Sequence, residues 1–190
     1  MTIYWFLFIL SAVFYIFDLK FYTLKIFYLF SLALFIGLRS EVGGDHIGYQ
    51  NFYDSIESIS LKRFIEADLG FSLLTFFSKF LNLGLSGVYL FSSIVFLISL
   101  FLWSDERYNF WSIIVVSLPF IIIILIMGYV RQGIAFSFFL IALHYYIENR
   151  NFKSFFYLFI ALLFHKTIAI IFILFFLGQR KYFFLNLIFT

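Results

Sequence analysis

Long apolar stretches that carry almost no charge divide this chain, and they decide most of what it can fold into. Residues 2–17, 21–38, 85–103, 110–129, 131–147 and 154–177 form such stretches. About 20 apolar residues suffice to cross a ~30 Å hydrocarbon core as a helix. Lipid offers no partner for an open backbone N–H or C=O, so a spanning segment must satisfy its polar groups internally. The stretches are continuous rather than alternating, which argues against a transmembrane β-barrel. A weaker segment at 69–83 contains Lys79 and Asn82, and a last one, 182–190, begins at Tyr182 and stops with the chain at Thr190. The expected fold class is all-α. It is a polytopic transmembrane helix bundle in one domain, 1–190, with about six to seven membrane segments and one interfacial or re-entrant helix.

The composition agrees. Hydrophobic residues make up 64% of the chain, charged residues 12%, and the mean hydropathy is +1.06, which excludes an ordinary soluble domain. Cysteine is absent, so disulfides, thiolate chemistry and Cys-ligated metal are all excluded. The pI near 9.0 comes with a net charge of only +3 and no basic stripe. That is topogenic charge rather than a nucleic-acid footprint. The first segment lacks a basic leader and a small-residue cleavage site, and reads as a retained helix.

Charge sets the expected orientation. Lys20 and Lys25, Arg107, and Arg150 with Lys153 lie at turns that the positive-inside rule places in the cytoplasm. Residues 39–68 carry three bases (Arg39, Lys62, Arg63) against six acids (Glu41, Asp45, Asp54, Glu57, Glu66, Asp68), a net of −3. An outer polar loop fits that balance. Parity then allows only one of 69–83 and 85–103 to span, and the Lys-containing 69–83 is the one expected to be interfacial or re-entrant. Arg131 emerges on the outer side with the loop. Segment 154–177 has two readings: one helix with His165 and Lys166 in mid-membrane, or a broken pair with His165 at an outer tip.

Four polar features interrupt the apolar background. Arg39 opens the outer loop. Asp45 follows Gly43-Gly44, a pair that permits a tight turn and close backbone approach to a ligand. Arg131 sits in Tyr129-Val-Arg-Gln-Gly133 between two apolar stretches, and His165 with Lys166 interrupts a third. Each has a plainer role available: interfacial anchor for the arginines, turn for Gly-Gly-Asp, interhelical hydrogen bonder for His165. His46 and His144 read as structural. Taken together, two outward arginines, a Gly-Gly-Asp turn and a buried histidine suit a phosphorylated lipid. Arginine offers a permanent charge and a planar fork for phosphate oxygens, and Asp45 or His165 can take a proton from a hydroxyl. No metal-ligand spacing, Walker loop, nucleophile elbow or dinucleotide fingerprint appears, and no cofactor is expected.

The order Arg39-x-x-x-Gly43-Gly44-Asp45-x-x-x-Tyr49-x-x-Phe52, an acidic-Leu-Gly-Phe turn at Asp68 to Phe71, Arg131-Gln132 with Ala135, and Ala161-x-x-Phe164-His165 resembles the EpsG family. These are Wzy-like polymerases of exopolysaccharide and O-antigen repeat units, and the similarity runs over about residues 1–178. The resemblance implies a multi-pass glycosyltransferase of the bacterial inner membrane. It would join undecaprenyl-pyrophosphate-linked oligosaccharides on the outer face, with membrane lipid, a chain-length regulator and a flippase of the same pathway as expected partners. Tyr49 joins Arg39, Arg131, Gly43 and Gly44 in the implied substrate-binding set, with Asp45 and His165 as catalytic candidates. Family members are longer and this chain stops inside an apolar run, so a truncated member is expected. Competing readings are a lipid-linked sugar transporter or flippase, an acyltransferase using His165, and an inactive remnant of the polymerase. No repeat symmetry of the kind many transporters show is visible.

Overall fold

The computed structural model describes residues 2–56, 68–104, 109–171 and 173. The expected segment 182–190, residues 174–177 and the middle of the 39–68 loop lie outside the described residues. Among those described every regular element is helical: α1 (Thr2–Ile16), α2 (Tyr22–Gly37), α3 (His46–Ser55), α4 (Leu69–Phe80), α5 (Gly84–Trp103), α6 (Phe110–Ser117), α7 (Val130–Ile147) and α8 (Asn151–Phe164). α6 runs on as a π-helix over Leu118–Ile126. Pro119 supplies a reason for the change, because it has no N–H to donate to the carbonyl four residues earlier and its ring crowds that turn.

Four of the buried serine and threonine hydroxyls are tied down locally. Ser11, Thr75, Ser117 and Ser137 each donate to the carbonyl four residues earlier at 2.7–2.8 Å. A hydroxyl satisfied in this way can sit among apolar helices without an open donor. α6 begins at Asn109, whose side chain accepts from the Trp111 N–H at 2.9 Å and donates to Asp18 at 3.0 Å. Trp111 Nε1 donates to the Leu19 carbonyl at 2.7 Å, which fixes the start of α6 to the α1–α2 turn.

Two apolar cores share α5. The first joins Tyr28, Leu32 and Ile36 of α2, Phe96 to Leu100 on the later half of α5, and the α6–π face from Phe110 to Ile126. The second joins Tyr49, Phe71, Leu85 to Tyr89 on the early half of α5, Val130 to Ala142 of α7, and Leu158 to Phe164 of α8. The polar residues of interest gather where the second core meets the π-helical end of the first.

The outward faces of α1, α2 and the α6–π segment are apolar. Trp5, Phe6, Phe27, Phe30, Val116 and Phe120 are each more than 60% exposed, a surface suited to hydrocarbon rather than water. Two helices, Gly84–Trp103 and Val130–Ile147, are long and apolar enough to cross a bilayer. Thr2–Ile16, Tyr22–Gly37, Leu69–Phe80, Phe110–Ile126 and Asn151–Phe164 are apolar but shorter. The sequence assigns 39–68 to a loop, whereas His46–Ser55 within it is helical. Tyr49 and Phe52, one turn apart, give that helix an apolar face, and both pack on Phe71 with ring centroids 5.4 and 5.5 Å away. Segment 154–177 is broken: α8 ends at Phe164, and His165 is extended at φ −159, ψ 123.

Candidate functional site

The first part of the site is a pinned loop. α2 ends at Gly37, and Arg39 turns back under it rather than out to solvent. Its Nη1 donates to the Ile36 carbonyl at 2.6 Å and its Nη2 to the Ile126 carbonyl at 3.4 Å. The guanidinium carbon lies 4.0 Å from the centre of the Tyr89 ring, Arg39 is only 7% exposed, and its Nε has no partner. Burial drives its pKa down to about 10, so it stays charged at neutral pH. Four residues later Gly43 holds φ +121, where a Cβ would fall on the Met127 carbonyl. Residues 39 and 43 thus both press on the end of the π-helix, next to the turn that leads into Arg131.

α3 covers this junction. His46 Nδ1 is 3.0 Å from the Tyr89 hydroxyl, and Tyr49 is 4% exposed. Burial raises the Tyr49 phenol above its usual value, against hydrogen bonding and charge from Arg131. Tyr49 also lies within electrostatic reach of Arg39, so it stands between the two arginines. At the far end of α3, Lys79 Nζ donates to the Tyr53 and Asp54 carbonyls at 3.2 and 3.1 Å. A cation on the last carbonyls of a helix is a stabilising cap.

The second part is an acid shared between two bases. Asp68 Oδ2 lies 3.2 Å from His165 Nδ1 and 3.6 Å from Arg131 Nη1. Asp68 and His165 are mostly buried, with side chains 11% and 16% exposed, while Arg131 keeps 39% of its side chain open. The Arg131 guanidinium also lies over the Tyr49 and Phe71 rings at 5.8 and 5.7 Å. Arg131 is the second residue of α7, where the chain restarts after Tyr129, and His165 follows directly on α8. Gly70 makes the meeting possible. A Cβ there would stand 3.0 Å from both the Leu163 carbonyl oxygen and the Phe164 ring, so its absence lets the first turn of α4 lie on the last turn of α8.

Of the residues singled out in the sequence, Arg131, His165 and Tyr49 come together, and Arg39 and Gly43 support them from one side. A Cβ at Gly44 would meet nothing within 4 Å, and Asp45 is exposed at the start of α3 without a capping bond from its side chain. His144 pairs with Glu148 at 3.2 Å. Sequence reasoning missed two residues as site members, Asp68 and Tyr89. Asp68 had a signal, the acidic-Leu-Gly-Phe turn, but in the sequence it counts only as one of six acids of the outer loop. Tyr89 had none among 13 tyrosines. Among the described residues no group of three or more His, Cys, Asp or Glu could hold a metal ion.

The helices, their apolar outer faces and this polar cluster at one junction define a helical membrane protein with a built polar site. The chain belongs to the EpsG family, whose family model matches residues 22–190. Membership supports a polymerase-like role in exopolysaccharide or O-antigen biosynthesis. No curated protein and no solved structure matches the chain.

Proposed function

We propose that the chain is a multi-pass inner-membrane glycosyltransferase that joins lipid-linked oligosaccharide repeat units on the outer face of the membrane. The donor is a glycan on undecaprenyl pyrophosphate and the acceptor is the next lipid-linked unit. One observation carries this reading: a partly open arginine beside a mostly buried histidine–carboxylate pair, held in an apolar setting. Arg131 offers its remaining N–H groups to the pyrophosphate and stabilises the charge that grows as it leaves. The acceptor hydroxyl attacks the anomeric carbon as the bond to the pyrophosphate oxygen breaks, and its proton passes to a general base, His165 or Asp45. Pyrophosphate is already a good leaving group, so nothing in this step demands a metal. Arg39, buried on two backbone carbonyls, fixes the loop and contributes its charge at a distance.

In a cell carrying the remaining parts of such a pathway, Arg131→Ala should cut polymer yield about 10²–10³-fold, the usual cost of one lost transition-state donor. Polymer is read by blotting. Wild-type yield and length from that variant would refute the assignment of Arg131.

A further inference from the structure

We infer that Asp68 sets the working proton state of His165: it takes the Nδ1–H of the ring and so leaves Nε2 as the base for the acceptor hydroxyl. The inference rests on the polymerase reading and chooses His165 over Asp45 within it. A carboxylate has acceptors only, so the hydrogen in the 3.2 Å contact between Oδ2 and Nδ1 comes from the ring. A neutral imidazole with hydrogen on Nδ1 presents a bare Nε2, and among the described residues no hydrogen bond occupies that nitrogen.

The placement of Asp68 supports the assignment independently. Aspartate immediately before a helix usually caps it. Asp68 occupies that position ahead of α4 yet makes no side-chain cap bond. Only its backbone carbonyl serves the helix, accepting from the Ser72 N–H at 3.0 Å. Its carboxylate instead reaches a residue 97 positions away in the chain, through the close approach that Gly70 permits. Asp45, by contrast, is exposed and bonded to neither His165 nor Arg131. In the transfer the acceptor oxygen bonds to the anomeric carbon and the sugar–pyrophosphate bond breaks. The bonding pair leaves with the pyrophosphate, next to Arg131, and the hydroxyl proton goes to His165 Nε2. Asp68 touches none of the reacting atoms and is a positioning residue.

The test is nitrogen NMR on the full chain in lipid nanodiscs with ring-labelled histidine. The chain has only three histidines, and His165→Gln identifies the His165 signals. At about pH 9, well above the reference imidazole value of ~6.5, wild-type His165 should show a protonated Nδ1 and an unprotonated Nε2. Asp68→Ala should lose that preference and Asp68→Glu should restore it, with the His46 and His144 signals unmoved. If Asp68→Ala disturbs those two, Asp68→Ser replaces it. In the polymer assay, Asp68→Ala and His165→Ala should each lose about 10²–10⁴-fold, the range of general-base catalysis, and the double variant no more than either. A wild-type His165 protonated on Nε2, or a pattern indifferent to Asp68, would overturn the inference and leave the Arg131 result standing. The expected tautomer with unaltered polymer from both Arg131→Ala and His165→Ala would overturn the polymerase reading, and the base role with it.

Discussion

Gly43→Ala tests how the outer loop is coupled to the site, and its neighbour provides the control. Gly43 holds φ +121, a region closed to L side chains, and an alanine forced to remain there costs about 1–3 kcal/mol. Its Cβ would also meet the backbone carbonyl of Met127, which cannot swing aside as a side chain would. The loop must therefore lift from the π-helical end, carrying with it Asp45 and the start of α3. Gly44 has no positive φ and nothing within 4 Å of a Cβ, so Gly44→Ala should stay within about 0.5 kcal/mol of wild type. At roughly 2–4 °C per kcal/mol for a chain of this size, Gly43→Ala should melt about 2–12 °C lower. Thermal unfolding of the two purified variants in one detergent gives the comparison, and hydrogen exchange in α3 reports the lifted loop. Equal melting temperatures, with α3 equally protected in both, would refute the contact between Gly43 and Met127 as the anchor of the loop.

Other substitutions probe separate links. Arg39→Lys keeps the charge but replaces the planar fork that serves the Ile36 and Ile126 carbonyls and lies over the Tyr89 ring with a single ammonium. A loss of about 1–3 kcal/mol is expected in chemical or thermal unfolding. Lys79→Met removes two bonds to the closing carbonyls of α3. At about 1 kcal/mol of net stability per bond, amide exchange across His46–Ser55 should quicken roughly 10-fold or more while α5 is unchanged. Trp111→Phe loses the bond to the Leu19 carbonyl and part of a fully buried ring system packed on Phe14, Tyr28 and Phe110. It should cost about 1–3 kcal/mol from the lost bond and the cavity together, a fall in melting temperature of a few degrees or more.

The helical class and most helix positions were legible because an apolar stretch leaves the backbone few other choices. Helix ends were less so. The sequence places 110–129 in one stretch, and Pro119 alone does not announce a π-helix from Leu118 to Ile126. α3 was hidden by its polar residues. Its packed face is short, Tyr49, Phe52 and Tyr53, and its partners include Phe71 and Lys79, residues brought near by folding. In the site, Arg131 and His165 stood out because an ionisable side chain in an apolar run has a high cost unless it has a use. Arg39 also stood out, but its inward turn onto two carbonyls was not readable, since the same helix-end arginine could equally have pointed outward. Asp68 was visible and undervalued. In the sequence it is one of six acids in the outer loop, and only the tertiary contact with His165 shows where its carboxylate is employed.

We propose that the Arg131–Asp68–His165 cluster transfers a glycan from lipid pyrophosphate. Its most direct test is reconstitution of the full chain in liposomes with a synthetic undecaprenyl-pyrophosphate-linked repeat unit, with products resolved by length and released lipid pyrophosphate measured in parallel. A ladder of multiples of the repeat is expected, with one lipid pyrophosphate released per linkage and both signals reduced at least about 10²-fold by Arg131→Ala. No product longer than one unit, or a ladder that Arg131→Ala and His165→Ala leave intact, would contradict it.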